Sequence, residues 1–403
     1  MKQGWQIKKL GCLCSFERGL TYSKGDEAAI STKGVLRSNN VDLSSNTLNF
    51  DEIKYLKDDI DIPVSKKVKR NSILMCMSNG SKAHLGKVAI IEDDLDYAFG
   101  GFMGLLVPDE EAVFPRYFYY ALITPMYKSF IKSLSDGANI NNLKFADLKE
   151  FEIPVPSISE QQRIVALLDA EFAKIDALKA NAEKNLQNAK DLFQAALKKE
   201  LGPKEGWMVK TLKEIGLTQT GTTPKTSVKE NYGNYIPFIK PADVNIDGLG
   251  NLNYDNEGLS EQGAKCGRVF EANSILMVCI GATIGKVGYA KQKVSSNQQI
   301  NVLTPNDGYD CKFLYYCMAS PRFQFEVIKE GESAKATLPI INKTKWEGLS
   351  IAIPSKSAQH SIVARLDVLN EKCKTLQANY EKTIALCDDL KQALLRKAFN
   401  GEI

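Results

Sequence analysis

The chain has 403 residues, 44% hydrophobic and 25% charged, with 28 Gly and 14 Pro, a composition that excludes fibrous and disordered classes and predicts two or three globular units. Its net charge of +4 is evenly spread: Lys+Arg against Asp+Glu run 20 to 20 over residues 1–156, 7 to 7 over 157–201, 17 to 15 over 202–354 and 8 to 6 over 355–403. Bulk charge therefore gives no nucleic-acid signal. No apolar run approaches the roughly 18 residues of a membrane span, Ser274 to Gly285 being the nearest, and the start lacks a leader's apolar stretch, so a cytoplasmic protein is expected.

In chain order, residues 1–156 open on Gly4-Trp5 and read as a mixed α and β unit. Ser72 to Met77 and Lys87 to Ile91 are β-rich apolar runs joined by a Gly-containing loop. Pro115 to Ala121 has helical apolar spacing that Thr124-Pro125 ends, because the residue before proline resists the helical conformation. Four loops rich in donors accompany these elements: Arg18-Gly-Leu-Thr21, Leu36-Arg-Ser-Asn-Asn-Val41, Gly80 to Val88 and Phe99-Gly-Gly-Phe102.

Residues 157–201 follow as one long helix. Ile164, Leu168, Glu171, Ile175, Leu178, Ala182, Asn185, Ala189, Leu192 and Ala196 alternate spacings of four and three, the heptad seam of a coiled coil. Ser159, with Gln162 three residues on, fits an N-cap, and Gly202 sits where a helix stops.

The rest of the chain repeats the first part. Gly206-Trp207 returns Gly4-Trp5, Asn273-Ser-Ile-Leu-Met277 returns Asn71-Ser-Ile-Leu-Met75, and Gly285-Lys-Val287 returns Gly86-Lys-Val88. Residues 202–354 thus form a second mixed unit, with β-rich runs Ser274 to Ile280 and Lys286 to Tyr289 and a helix over Cys311 to Met318 ended by Ser320-Pro321. Residues 355–403 then match 157–201 without a gap: Ile362-Val-Ala364 with Leu366-Asp367 repeats Ile164-Val-Ala166 with Leu168-Asp169 at an offset of 198. The second seam is Ile362, Leu366, Leu369, Cys373, Leu376, Tyr380, Thr383, Cys387, Leu390 and Leu394, with Ser357 as its cap and Gly401 as its stop. Two seams of equal length predict antiparallel pairing around a pseudo-twofold repeat. Amphipathic helices each packed only on its own domain are the alternative. From Ile164 to Leu197 the helix would measure about 50 Å, which would serve as a ruler.

Catalytic motifs are missing. Gly80 to Val88 and Gly281 to Val287 resemble a Walker A loop, but the glycine spacing is wrong and Val follows the Lys. Nine Cys form no CxxC pair, and His84 and His360 are the only histidines, so no metal site, cofactor or catalytic residue is expected.

What remains is a pair of donor-rich loop sets in corresponding places. Arg and Lys suit guanine edges and phosphates, Asn and Gln suit adenine, and Gly lets a phosphate approach the backbone. The candidate DNA-binding residues are Arg18, Arg37, Asn39, Lys82, His84 and Lys87 in the first half, and Thr222, Lys225, Lys240, Lys286, Asn297, Gln298 and Gln299 in the second.

At these residues the whole chain resembles the specificity subunits of type I restriction-modification systems. Carrying the resemblance are Ile153-Pro-Val-Pro156 with Glu160-Gln-Gln-Arg-Ile164, the partner phrase Ile353-Pro354 with Gln359 and Ile362, the two Gly-Trp heads, the two Asn-Ser-Ile-Leu segments and Lys397-Ala-Phe-Asn-Gly401. The second half departs at Ala358-Gln359-His360, where the family usually shows Glu-Gln-Gln. The resemblance implies an α+β protein: target recognition domains at 1–156 and 202–354, and helical regions at 157–201 and 355–403 forming a long antiparallel coiled coil. It also implies a non-catalytic chain that binds double-stranded DNA. Separate modification subunits would dock on the helices and methylate adenine, and motor-nuclease subunits would cut. A two-domain coiled-coil scaffold that never touches DNA is the other reading.

Overall fold

The computed structural model describes residues 4–136, 142–245, 250–332 and 339–403. The chain divides into two compact units, Met1–Asn181 with Thr383–Ile403, and Ala182–Lys382.

In chain order the first unit contains β1 (Gln6–Lys9), β2 (Cys14–Arg18), β3 (Glu27–Ala28), β4 (Lys33–Leu36), β5 (Lys54–Leu56), β6 (Ile73–Cys76), β7 (Val88–Ile90), β8 (Tyr97–Phe99), β9 (Met103–Pro108), α1 (Pro115–Ala121), α2 (Pro125–Asp136), α3 (Phe145–Leu148), β10 (Glu152–Val155) and the start of α4 (Ile158–Leu201). Its strands form sheets ordered β2-β9-β6-β7 and β3-β5-β4-β8, plus the pair β1-β10. The expected runs around Ile73 and Val88 are β6 and β7, paired antiparallel. Strand β6 reads as an unbroken apolar run because both of its faces are covered. Ile73 and Met75 enter the core beneath α1 and α4, while Leu74 and Cys76 enter the core shared with Leu36 and Phe99.

The second unit repeats this order with β11 (Met208–Thr211), α5 (Leu212–Ile215), β12 (Gly216–Thr220), β13 (Tyr232–Ile239), β14 (Gly258–Leu259), α6 (Glu261–Cys266), β15 (Val269–Phe270), β16 (Ile275–Val278), β17 (Val287–Tyr289), β18 (Val294–Ser296), β19 (Ile300–Pro305), α7 (Cys311–Ala319), α8 (Pro321–Glu332), α9 (Lys343–Glu347), β20 (Ser350–Ile353) and α10 (Lys356–Asn400). The order β12-β19-β16-β17 copies β2-β9-β6-β7, and the parallel pair β13-β18 copies β4-β8. The repeated Asn-Ser-Ile-Leu phrase has a backbone cause. Asn71 and Asn273 hold φ of 65° and 66°, a left-handed turn that Asn tolerates, two residues before β6 and β16 begin.

Each α/β body is keyed to a helix start by the same residues. Gln161 is buried, accepts the Phe114 N–H at 2.7 Å and donates to the Pro156 carbonyl at 2.9 Å. Gln359 does the same with the Asp310 N–H and the Pro354 carbonyl. The departure at Ala358 and His360 therefore leaves the structural glutamine intact. Eight residues farther, Asp169 accepts from Tyr120 and Arg116, and Asp367 accepts from Tyr316 and Lys312.

The long helices pair antiparallel in each unit. In the first, Arg163 donates to the Ile403 carbonyl, Asp176 meets Lys391, and Lys179 meets Asp388. In the second, Glu200 meets Arg365, and Leu197 and Leu201 share a core with Ile362 and Leu366. Two mixed α/β domains with antiparallel long helices are the fold class that was expected.

The inward face keeps one series of the expected seam and departs from part of the other. The series through Leu168, Ile175, Ala182 and Ala189 is buried, as are Leu366, Cys373 and Cys387, with Ile164 and Ile362 ahead of them. Tyr380 and Leu394 are half-buried in the same series, and Leu369 is half-buried in the alternate one. Leu178, Leu192, Leu376 and Leu390, however, are exposed. The alternate inward positions lie one residue later, at Phe172, Lys179, Leu186 and Phe193, and at Asn370, Gln377, Ile384 and Lys391. The caps shift as well: the Ser157 and Ser355 hydroxyls, not those of Ser159 and Ser357, accept the Glu160 and Ala358 N–H groups. Gly401 takes φ 76° just past α10, as its place predicted. Thr124-Pro125 both ends α1 and starts α2, since the Thr124 hydroxyl donates to the Ala121 carbonyl and accepts the Tyr127 N–H. No helix of the described residues is long and apolar enough to cross a membrane.

Candidate nucleic-acid interface

In each unit the parallel strand pair delivers the chain into a tight turn. Residues 100–102 connect β8 to β9, and residues 297–299 connect β18 to β19. Matching hydrogen bonds hold both turns. The Gly100 N–H donates to the Leu36 carbonyl at 2.9 Å and the Asn297 N–H to the Ile239 carbonyl at 3.2 Å, while the Gly100 and Asn297 carbonyls accept from Met103 and Ile300. Beside them, Leu20 donates to the Phe99 carbonyl and Thr222 to the Ser296 carbonyl. An identical chain course thus presents Gly-Gly-Phe in one domain and Asn-Gln-Gln in the other.

The approach of the neighbouring loop is so close that only glycine fits. A Cβ on Gly19 would stand 1.9 Å from the Gly100 carbonyl oxygen, and one on Gly221 would stand 2.1 Å from that of Asn297. These glycines were expected to admit a phosphate; what they admit is the carbonyl of the adjacent turn.

In the first domain the turn borders a cleft of about 600 Å³ lined by Thr21, Tyr22, Arg37, Asn39, Asn79 and Phe102. The Arg37 N–H donates to Asn40 Oδ1 at 2.9 Å, and the Arg37 Nε is buried without a hydrogen-bond partner among the described residues. Asn39 Nδ2 donates to the Glu52 carbonyl at 3.1 Å. Arg18 is exposed, 5.9 Å from the Phe145 ring centre, in a smaller cleft that Phe102 also lines. Phe102 therefore stands between the two basic residues, 71% exposed.

Lys82, His84 and Lys87 do not reach this cleft. Lys82 Nζ donates to the Ser135 carbonyl at 2.9 Å, and His84 Nδ1 is buried without a partner among the described residues. Lys87 is a correction to the expected phosphate contact. It is buried, burial lowers its pKa, and its ammonium donates to the Val41 carbonyl at 2.7 Å, so it ties a loop to β7 and offers nothing outward. Lys286, its repeat equivalent, is half-buried.

In the second domain Lys240 follows β13 as Arg37 follows β4, and its N–H donates to Asp243 Oδ2 at 2.9 Å. Its ammonium, unlike the Arg37 Nε, is paired, with Glu257, and lies 5.8 Å from the Phe238 ring centre. Thr222 Oγ1 accepts the Arg268 N–H, Lys225 is exposed, and Asn297, Gln298 and Gln299 sit together at the turn. Sequence reasoning named the loops of Phe102 and Thr223 without singling out either residue, and it missed Asn79; the Asn79 amide donates to Ser38 Oγ, and the Thr223 hydroxyl donates to Gln298 Oε1. The signal for Phe102 was an aromatic placed directly after Gly-Gly between two apolar strands, where no core is available to it. Among the described residues no group of three or more His, Cys, Asp or Glu could hold a metal ion.

A family model for the type I restriction modification DNA specificity domain matches residues 2–188 and 204–385. The chain is 25% identical, over its full length and 90% of the relative, to the StySPI type I restriction enzyme specificity subunit of Salmonella potsdam. It is equally 25% identical, with the same coverage, to the EcoKI specificity subunit of Escherichia coli strain K12. Among solved structures it matches a chain from work on complex assembly and conformational transition of the type I R-M system, with a TM-score of 0.80 and 20% identity over 100% of this chain and 99% of that one. At that identity the likeness is one of fold.

Proposed function

The chain belongs to the type I restriction modification DNA specificity family, and from that membership we propose that it is the DNA-sequence-specificity subunit of a type I restriction-modification complex. Each domain reads one half of a bipartite, asymmetric target in double-stranded DNA. The observation that carries this reading is the pair of equivalent turns with different side chains: one scaffold used twice, with Gly100-Gly-Phe102 in one copy and Asn297-Gln-Gln299 in the other. Base edges are told apart by donors, acceptors and apolar contacts, so heads built this way select different half-sites. Lys225, Arg18 and Lys286 contact phosphates, while Arg37, Asn39 and Gln298 contact bases.

The paired helices set the unread spacer and dock the modification subunits. Supporting the docking are leucines turned away from the helix pair in each unit, Leu178 and Leu390 in the first and Leu192 and Leu376 in the second, since exposed apolar patches mark protein interfaces. Adenine N6 methylation and cleavage belong to the partner subunits, and the complex works in the cytoplasm, where the DNA is.

Methylome sequencing of cells expressing the chain with its modification subunit tests the proposal. Two specified half-sites flanking a fixed unread gap are expected; methylation at a continuous site, or none, defeats it. Near-neutral charge balance favours the scaffold reading, and a gel shift whose affinity falls steeply with salt eliminates that reading.

A further inference from the structure

The turn between β18 and β19 fixes the direction of two side-chain amides. The Gln299 N–H takes Asn297 Oδ1 as its acceptor at 3.1 Å. That bond turns Asn297 Nδ2 the other way, where it donates to Gln299 Oε1 at 2.9 Å. Asn297 is only 9% exposed, so its amide is largely shielded from water. The amide oxygen of Gln299 is thereby engaged and its NH2 group is left over. Beside it the Thr223 hydroxyl donates to Gln298 Oε1 at 2.5 Å, leaving the NH2 of an exposed side chain. An amide's orientation follows from the network around it: that of Gln299 traces back to a backbone N–H that cannot reverse its polarity, and that of Gln298 rests on the Thr223 hydroxyl acting as the donor.

Resting on the DNA-reading role proposed above, we infer that this turn is a donor-only head that selects guanine in the half-site bound by the second domain, and that Asn297 is the positioning residue that keeps it so. Guanine places two acceptors, N7 and O6, side by side in the major groove. Adenine places an acceptor beside a donor, and reading it with a glutamine needs the amide oxygen as well as the nitrogen. Gln298 and Gln299 present nitrogens and hold their oxygens back. The first domain differs at the corresponding place: Asn39 spends its amide nitrogen on the Glu52 carbonyl and keeps its oxygen, next to Arg37 and the exposed Phe102. Its surface is mixed, an amide oxygen that suits a base donor standing beside an Arg37 that suits guanine, so the donor-only head belongs to one half-site.

Site-selection sequencing with the full chain and its modification subunit reads both half-sites at once, and the first half-site reports folding and assembly of every variant. Gln299→Ala is expected to lower the preference at one G·C pair about tenfold or more and to leave the other half-site unchanged. Asn297→Asp still offers one oxygen to the Gln299 N–H but sets a second carboxylate oxygen where Nδ2 stood, so the Gln299 amide turns its NH2 inward and presents its oxygen, and the preference for G·C at that same pair is lost. If Gln299→Ala alters an A·T pair, or no pair, the donor-only head is overturned while the bipartite reading stands. If Asn297→Asp keeps the preference for G·C at that pair, the positioning role is overturned. Should either variant lose both half-sites through misfolding, Thr223→Val, which frees the exposed Gln298 amide at no cost in bulk, carries the same test: relaxed discrimination at a G·C pair supports the head, and an unchanged motif overturns it. A wild-type complex with no bipartite motif would instead defeat the proposed function.

Discussion

Alanine at Gly221 would place its methyl carbon 2.1 Å from the Asn297 carbonyl oxygen and 2.5 Å from that of Ser296. Backbone, not a flexible side chain, has to give, and the part that moves is the turn carrying Gln298 and Gln299. Gly221→Ala is expected to cost roughly 1–3 kcal/mol of stability, read by thermal unfolding, and to blur one half-site while sparing the other in sequencing of methylated sites. Equal damage to both half-sites would show that the two turns are not independent heads. Glycine in these loops was legible in the sequence; its partner was not, because a close approach between distant segments leaves no local pattern. Lys87 shows the same limit. Its place in a Gly-Lys-Val turn is plain, yet whether an ammonium faces solvent or the Val41 carbonyl depends on a loop 46 residues away. Gln161 and Gln359 are the opposite case: their recurrence at an offset of 198 flagged them, and both prove to be buried keys between helix and domain.

At the scale of the elements, the heptad period of α4 and α10 was legible and its phase was only half so. The cause lies in which residues face inward. Lys179 and Lys391 occupy inward positions and reach across to Asp388 and Asp176, their stems covering apolar surface as long charged side chains do. Leucines meanwhile occupy the outward flank at Leu178, Leu192, Leu376 and Leu390. A pattern read from hydrophobicity alone takes the leucines and leaves the lysines. The two faces separate by mutation. Phe172→Ala, in the core with Ile175 and Cys387, is expected to cost about 3–5 kcal/mol. Leu178→Ala should stay within about 0.5 kcal/mol in the chain alone, yet weaken its co-purification with a modification subunit. Equal destabilisation by both would return Leu178 to the seam. Acid acts on the helix pair through Glu200, whose carboxyl is held below its ordinary 4.5 by the hydrogen bond from Arg365. A carboxyl lowered in the folded state contributes stability above its unfolded value and loses it as pH falls through the folded one. The stabilisation should therefore be full above pH 4.5 and decline below it. The melting temperatures of wild type and Glu200→Gln are expected to converge on acidification, and a gap that widens in acid would contradict the assignment.

For the molecule as a whole, the strongest signal in the sequence is the repeat itself, and it speaks to function through length. Variable loops drift in offset between the halves, but the helical segments align without a gap, and α4 and α10 run to 44 and 45 residues. Loops that read different bases are free to differ, whereas two helices that pair over their length must change together. If the helices set the gap between half-sites, one heptad added to both lengthens each by about 10 Å, roughly three base pairs of DNA at 3.4 Å each. Adding it after Lys184 and after Lys382, equivalent positions of the repeat, keeps the inward face in phase. The expected motif retains both half-sites and gains about three unread base pairs between them. Insertion in α4 alone leaves the antiparallel partner short, so it should abolish methylation, and insertion in α10 should restore it. An unchanged gap in the doubly lengthened protein would mean that the spacing is measured by the modification subunits, and the helices would then serve for docking alone.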